Sequence, residues 1–293
     1  MRIPFEDKVY YTFVYVVSFL LLICVLYPII IIVSSSFSSP MAVSTGRVVF
    51  LPVEPSLQGY QTVFRDSRVI TGYRNTIFYT VAGTLINVSM TLICAYPLAR
   101  KKLPLRGVFT VYFTFTMLFS GGMIPNYLLL RDLRMLNTIW AMIIPGAFSI
   151  YSMIITRTFI SASIPGELLE ATQIDGCSDF KYFILFILPL SKAVIAVITM
   201  QYAVGHWNAY FNAFIYLTKK ELYPLQVFLR EILILSQFVP TDIMDPETAT
   251  AMQGLADLLK YSLIVISTAP ILCIYPFFQK YFVKGVMIGS IKG

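Results

Sequence analysis

Phe19-Leu20-Leu21-Leu22-Ile23-Cys24-Val25-Leu26-Tyr27-Pro28-Ile29-Ile30-Ile31-Ile32-Val33 decides which solvent this chain folds in. The run carries no charge and lacks the alternation of a barrel strand, and it sits inside a charge-free interval from Val9 to Gly46. A helix rises about 1.5 Å per residue, so crossing about 30 Å of hydrocarbon takes roughly 20 residues. Only helices or closed barrels satisfy every backbone N–H and C=O in lipid. A membrane-spanning helix is therefore expected here. Arg2 and Lys8 precede the run as in a signal peptide, but it is too long and lacks a small-residue cleavage site, so a retained span is expected.

Five more intervals are free of Asp, Glu, Lys and Arg: Asn75 to Ala99, Gly107 to Leu130, Met135 to Thr156, Ala193 to Thr218 and Tyr261 to Gln279. Of the 293 residues 57% are hydrophobic and 13% charged, with a mean hydropathy of +0.75, against about 25% charge in soluble domains. These numbers predict an all-α polytopic membrane protein with six transmembrane helices. The expected permeating body covers 13–282, between a short N-terminal segment, 1–12, and a tail, 283–293. Three long connections separate spans: 34–74, with a short strand expected at Val48 to Leu51, 157–192, and 219–260. Pro97, Pro145, Pro270 and Pro276 fall in or near spans and predict kinks.

An even number of crossings puts both termini on one face, together with segment 157–192 and the loop Arg100 to Arg106. That face has 12 Lys or Arg and the other 10, but the short loop alone packs Arg100, Lys101, Lys102 and Arg106 beside two span ends. The positive-inside rule weighs such loops most, so both termini are expected in the cytoplasm. Orientation is the better reading of the net charge of +7 than nucleic-acid binding, because no basic run lies on a polar scaffold. Cys24, Cys94, Cys177 and Cys273 form no C-x-x-C pair and indicate no redox site.

Absences narrow the function. His206 is the one titratable base within the spans, so an intramembrane protease, a metal centre or another catalytic constellation is not expected. No G-x-x-x-x-G-K-S/T loop is present to cradle ATP. An ion-coupled secondary carrier of a small polar solute remains as the alternative, disfavoured because the spans hold no carboxylate to bind a driving ion.

Two features are left to carry function. Ile164 to Gln173 reads as a short helix with Pro165 in its first turn and Glu167 complementing its dipole. Asp175-Gly176 breaks it, and Ser178 to Leu188 forms a second helix before Pro189. Such a helix-turn-helix at the membrane surface leaves Leu168, Leu169 and Ala171 for a partner. Polar faces are the second feature. Gln201, Gly205, Asn208 and Asn212 share one face of the fifth span, and Thr80, Thr84, Asn87 and Thr91 share one face of the second. These either hold helices together or line a solute path, with Trp207 or Tyr210 stacking on a sugar ring; His206 reads as a packing residue.

Glu170-Ala171-Thr172, three residues, Gly176, then Leu188-Pro189 resembles the E-A-A-x3-G-x9-I-x-L-P loop of the permease subunits of binding-protein-dependent ABC importers. Thr172 and Phe186 depart from that pattern. Asn75-Thr76, Trp207-Asn208 and the tail Lys284 to Gly293 are similar to the carbohydrate-uptake branch, and the likeness extends to the smaller permease of alginate importers. The resemblance implies a bacterial inner-membrane protein paired with a second permease, an ATPase dimer below and an extracytoplasmic solute-binding protein above, moving an oligosaccharide or polysaccharide. Glu167, Glu170, Ala171, Thr172, Asp175, Gly176 and Pro189 would then seat a coupling helix in the ATPase, and Lys284, Gly285 and Gly289 would touch the ATPase pair. This chain would bind no cofactor; ATP and Mg would sit on the partner ATPase. Thr84, Asn87, Gln201, Trp207, Asn208, Tyr210 and Asn212 are the substrate-path candidates. If the cargo is acidic, neutral donors, the partner subunit or the outer cluster Arg65, Arg68, Arg74, Arg131 and Arg134 would have to compensate its charge, the other reading being that these arginines sit at the headgroups.

Overall fold

The computed structural model describes residues 4–235 and 246–290. Among them every regular element is helical: α1 Phe5–Ser36, α2 Pro40–Ser44, α3 Gln58–Arg65, α4 Ser67–Ala99, α5 Arg106–Leu118, α6 Met123–Asp132, α7 Trp140–Ile143, α8 Ile150–Ser163, α9 Gly166–Ile174, α10 Asp179–Tyr182, α11 Leu188–Leu190, α12 Lys192–Trp207, α13 Phe211–Tyr216, α14 Leu225–Leu235 and α15 Pro246–Ser290. The chain divides into two compact units, the described parts of Met1–Ile70 with Phe228–Ala269, and of Thr71–Val227 with Pro270–Gly293.

Each of the six charge-free intervals is helical, but only three form unbroken apolar helices long enough to cross a membrane: Asp7–Ser36, Ser67–Ala99 and Met252–Tyr281. The others bend. α5 and α6 meet at 109° and the α10–α11 segment meets α12 at 79°; counting each bent pair as one span brings the number to five. Met135 to Thr156 holds α7 and the first half of α8, separated at Pro145 and Gly146. Pro145 therefore lies in a break, whereas Pro97, Pro270 and Pro276 lie inside α4 and α15. Local chemistry explains the sharpest bend: Gly121 and Gly122 follow α5, and Gly122 takes the left-handed φ of +85° that side chains resist.

In the first unit, the expected strand at Val48 to Leu51 is absent; those residues are irregular. Serine hydroxyls take the backbone groups a ladder would use. Ser34 Oγ donates to Phe50 O at 2.7 Å, and Val53 N donates to Ser38 Oγ at 3.0 Å. Ser39 and Arg47 both bond Glu54, holding its carboxyl below the usual range. α15 runs close to this loop through Gly254, where a Cβ would come within 2.5 Å of Pro40 O.

In the second unit α4 is the mast. Near its start, Asn75 Nδ2 donates to Glu221 O and Tyr223 O, Tyr79 OH donates to Leu222 O at 2.9 Å, and Thr76 Oγ1 accepts from Leu225 N at 2.8 Å. In its middle, Asn87 Nδ2 donates to Gly146 O, Asn87 Oδ1 pairs with His206 Nε2 at 2.8 Å, and Thr91 bonds the Tyr202 hydroxyl at 2.7 Å. At its end Tyr96 packs with Tyr182 and Phe183. In lipid, where hydrophobic burial gives helices no reason to associate, such bonds and close packing are what hold the unit together.

Candidate functional site

The segment 164–190 is built from local rules and then fixed to α4. Pro165 is the N-cap of α9, one position before the first turn, with an extended ψ of 141°. Its far end closes with two bonds, Cys177 N to Thr172 O at 2.9 Å and Gly176 N to Gln173 O at 3.1 Å, around Gly176 at φ +73°. That is the Schellman arrangement, which needs a left-handed residue at its centre. Ser178 then caps α10, its Oγ accepting from Lys181 N. The second helix does not stop before Pro189 as expected. It widens into a π-turn at Phe183–Ile187 and continues through Pro189 to Leu190. A proline ring clashes with the carbonyl four residues earlier and lacks the N–H to bond it, and a widened turn relieves both problems.

One side of this helix-turn-helix is given to the chain itself. Leu168, Leu169, Cys177, Phe183 and Phe186 pack against Tyr96, Ile160, Tyr182 and Ile187. Leu168 and Leu169 are therefore inward residues and not the partner-facing pair expected. Thr172 is buried too, its hydroxyl donating to Leu169 O at 2.9 Å. Two ion pairs tie the segment to the basic loop after α4: Arg100 to Asp179 at 2.6 Å and Lys102 to Glu170 at 3.7 Å. Both are largely exposed on their acidic side, so they orient more than they stabilise.

The other side is open. Glu167, Glu170, Ala171, Asp175, Gly176 and Pro189 are exposed. So are Ile174, 87% accessible, and Phe180, 73% accessible, which flank the Gly176 turn. These two were missed in the sequence. Their signal was available: an Ile at the last position of α9 and a Phe in the first turn of α10, both on the side away from Leu168 and Tyr182.

The polar faces divide in the same way. Asn87, Thr84 and Thr91 are buried within the unit, and the Thr84 hydroxyl has no hydrogen-bond partner. Gly83 lies beneath the imidazole of His206, so close that a Cβ there would stand 2.4 Å from Nε2. Trp207 is turned inward, 4% accessible, with its ring edge-on to Tyr73 at 6.3 Å. By contrast Gln201, Gly205, Asn208 and Tyr210 are exposed, and Asn212 is half-buried. A Cβ at Gly205 would meet nothing within 4 Å. Asn208 bridges its own helix and the start of α14, with Nδ2 donating to Val204 O at 3.0 Å and Oδ1 accepting from Gln226 Nε2 at 3.3 Å. An exposed neutral polar stripe on an otherwise apolar helix is poorly suited to lipid and well suited to hydroxyl groups. Lys284, Gly285 and Gly289 lie on the last turns of α15, where side chains fall outside the described residues.

No protein-family model matches the chain. Among curated proteins it is 38% identical over 272 residues to the polygalacturonan/rhamnogalacturonan transport system permease protein YtcP of Bacillus subtilis (strain 168), spanning 93% of this chain and 94% of that protein. It is 39% identical over 267 residues to Protein LplC of the same organism, spanning 91% and 89%. Among solved structures, a chain in the crystal structure of a bacterial ABC transporter involved in the import of the acidic polysaccharide alginate superposes with a TM-score of 0.84 and 34% identity, over 96% of this chain and 99% of that one.

Proposed function

The chain belongs to the family of sugar-importing ABC transporter permeases, and from that premise we propose that it forms half of a translocation pathway for an acidic oligosaccharide, driven through α9 by an ATPase it does not itself contain. The observation that carries the coupling role is the two-sided build of segment 164–190. Its inner side is bonded to the end of α4, while its outer side presents Glu167, Glu170, Ala171, Ile174 and Phe180 to open space. A rigid lever needs both. In this reading the ATPase cleft closes on ATP and Mg, carries α9 with it, and swings α4 and α12 between outward and inward openings. A second permease completes the pathway, and segments 34–74 and 219–260 meet a binding protein on the far side. With the broken α7–α8 interval, 135–156, counted as the sixth crossing, both termini then lie in the cytoplasm, as the basic loop favours.

If α9 seats in the ATPase, Ile174→Asp with Phe180→Asp puts two carboxylates into a desolvated contact. Each truncated apolar anchor is worth about 1–2 kcal/mol or more at an interface centre. Copurified ATPase should fall by on the order of tenfold or more, with the permease pair intact. ATPase recovered in full would remove α9 from the interface.

The cargo reading rests on the exposed stripe Gln201, Gly205, Asn208 and on relatives named for polygalacturonan and for alginate. Its neutral groups bond hydroxyls, so the cargo's charge is met elsewhere, by the partner permease or the outer arginines. Asn208→Leu should lower uptake about five- to tenfold, the loss of one hydrogen bond to the cargo, and because the bonds it also gives up, to Val204 O and from Gln226, are exposed to solvent, assembly should be unchanged. Asn87→Leu should do the reverse, lowering recovered complex because it leaves Gly146 O and His206 unpaired. Normal uptake by well-assembled Asn208→Leu complexes would take α12 off the path. A panel of neutral and acidic oligosaccharides with the cognate binding protein tests the charge.

A further inference from the structure

Five basic side chains gather where α4 ends, α5 begins and α8 passes: Arg100, Lys101, Lys102, Arg106 and Arg157. Arg100 and Lys102 are answered by Asp179 and Glu170. Arg106 and Arg157 are not; among the described residues no acidic side chain pairs with either. Their positions are set by the fold. Arg106 Nε donates to Leu98 O at 2.9 Å, which fixes that guanidinium at the end of α4. Arg157 lies one turn after Met153, which packs on Ala95 and Leu98, and one turn before Ser161, whose hydroxyl donates to Ala99 O at 3.3 Å. Residues four apart share a helix face, so Arg157 projects toward the same end of α4.

Both side chains are half-buried. Burial first, and then the like charge of Arg106, lower the pKa of Arg157, although a guanidinium remains charged in water at any ordinary pH. Two cations are therefore held together in a partly dry place, each with about five N–H donors, of which one carbonyl accepts one. Their level in the membrane is also defined. Arg106 immediately precedes the charge-free interval starting at Gly107, and Arg157 immediately follows the one ending at Thr156. That is the depth of the headgroups. α5 carries an exposed apolar face through Leu105, Val108 and Tyr112, which reaches the side of Arg106 at Phe109, three residues after it and itself exposed, and a Cβ at Gly107 would meet nothing within 4 Å.

We infer that Arg106 and Arg157 together bind the phosphate of an anionic phospholipid whose acyl chains lie along the Leu105, Val108 and Tyr112 face of α5. The inference uses the membrane placement of the family but nothing about the cargo or the ATPase contact. A phosphate offers bidentate acceptors to two forks at once and neutralises the like-charge pair. A zwitterionic lipid brings its own cation and does so less well.

The test uses the assembled transporter in nanodiscs, with a bimane fluorophore on Val108→Cys in a background where the four native cysteines are serine. Phosphatidylglycerol with brominated chains is titrated into a phosphatidylcholine bilayer. Quenching should saturate at a low mole fraction of the anionic lipid, and brominated phosphatidylcholine should quench far less. In Arg106→Gln/Arg157→Gln the half-saturating fraction should rise about 25-fold, roughly fivefold for each arginine. Lys101→Gln, whose charge lies outside the pair, should leave it unchanged. Arg157→Lys keeps the charge without the fork and should shift it less than Arg157→Gln. Equal quenching by the two lipids, an unshifted double variant, or equal shifts for the Lys and Gln variants would each overturn the site. So would loss of quenching on adding inorganic phosphate, which assigns the pair to a free anion, or no quenching at all, which assigns the α5 face to a protein partner.

Discussion

Gly176→Pro should abolish productive coupling: uptake falls on the order of 100-fold while the complex still binds nucleotide and hydrolyses it without transport. Gly176 stands at φ +73°, and proline is locked near −65°. The substitution also deletes the N–H that bonds Gln173 O at 3.1 Å. Together these cost roughly 3 kcal/mol at this turn, and at about 1.36 kcal/mol per decade that is about 100-fold in the equilibrium between the native turn and other backbones. What is lost is the fixed angle between α9 and α10, and with it the connection from the exposed face to Tyr96 and Tyr182. Gly176→Asn is the control. Asn visits the left-handed region more readily than other side chains, and a Cβ there would meet nothing within 4 Å, so most uptake should remain. Uptake and ATP hydrolysis measured in the same proteoliposomes decide it. Wild-type transport by the proline variant would mean that α9 and α10 do not act as one lever.

Gly83→Ala should be the most damaging single methyl in the second unit. The added Cβ would fall 2.4 Å from His206 Nε2, 2.5 Å from Cε1 and 2.8 Å from Cδ2. The imidazole cannot simply swing aside without releasing Asn87 Oδ1, and the Asn87 amide is itself bonded to Gly146 O. Overpacking of this kind costs about 1–3 kcal/mol, and for a body of roughly 150–250 residues the Tm of the recovered complex should fall by about 2–4 °C for each kcal/mol. His206→Ala removes the obstacle. In the Gly83→Ala/His206→Ala double variant the steric cost should vanish and only the lost hydrogen bond, about 1 kcal/mol, should remain. Additive losses in that double-mutant cycle would contradict the close contact between α4 and α12.

The turn at Gly176 was legible because its cause is local: a glycine after a helix with Asp before it and a capping Ser178 after it permits few other backbones. The exposure of charge-free runs to lipid was legible for the same reason that hydropathy works in general, since no water is present to satisfy a stray backbone group. Facing was not. Leu168 and Leu169 were expected outside and pack inside, because a segment between membrane and partner has apolar residues on both sides and its amphipathicity does not point in one direction. Ile174 and Phe180, the open apolar pair, were missed for that reason.

The polar stripes make the same distinction over a longer range. Spacing put Thr84, Asn87 and Thr91 on one face of α4, and Gln201, Gly205 and Asn208 on one face of α12, but it left open whether either face met protein or solute. The packed structure buries the face of α4 and leaves the face of α12 exposed. Asn87 and His206 are 119 positions apart, and their bond depends on how two helices lie against each other, which no local pattern encodes. The same holds for the bend of 109° between α5 and α6 and for the two like charges of Arg106 and Arg157 brought together beside α4. Sequence alone determined the solvent, the helical content and the one turn that glycine alone closes without strain, because each is a property of a single stretch of chain. Tertiary structure decided which polar groups are used up between helices and which remain free, because satisfaction of a buried donor is settled by whatever the rest of the fold places opposite it.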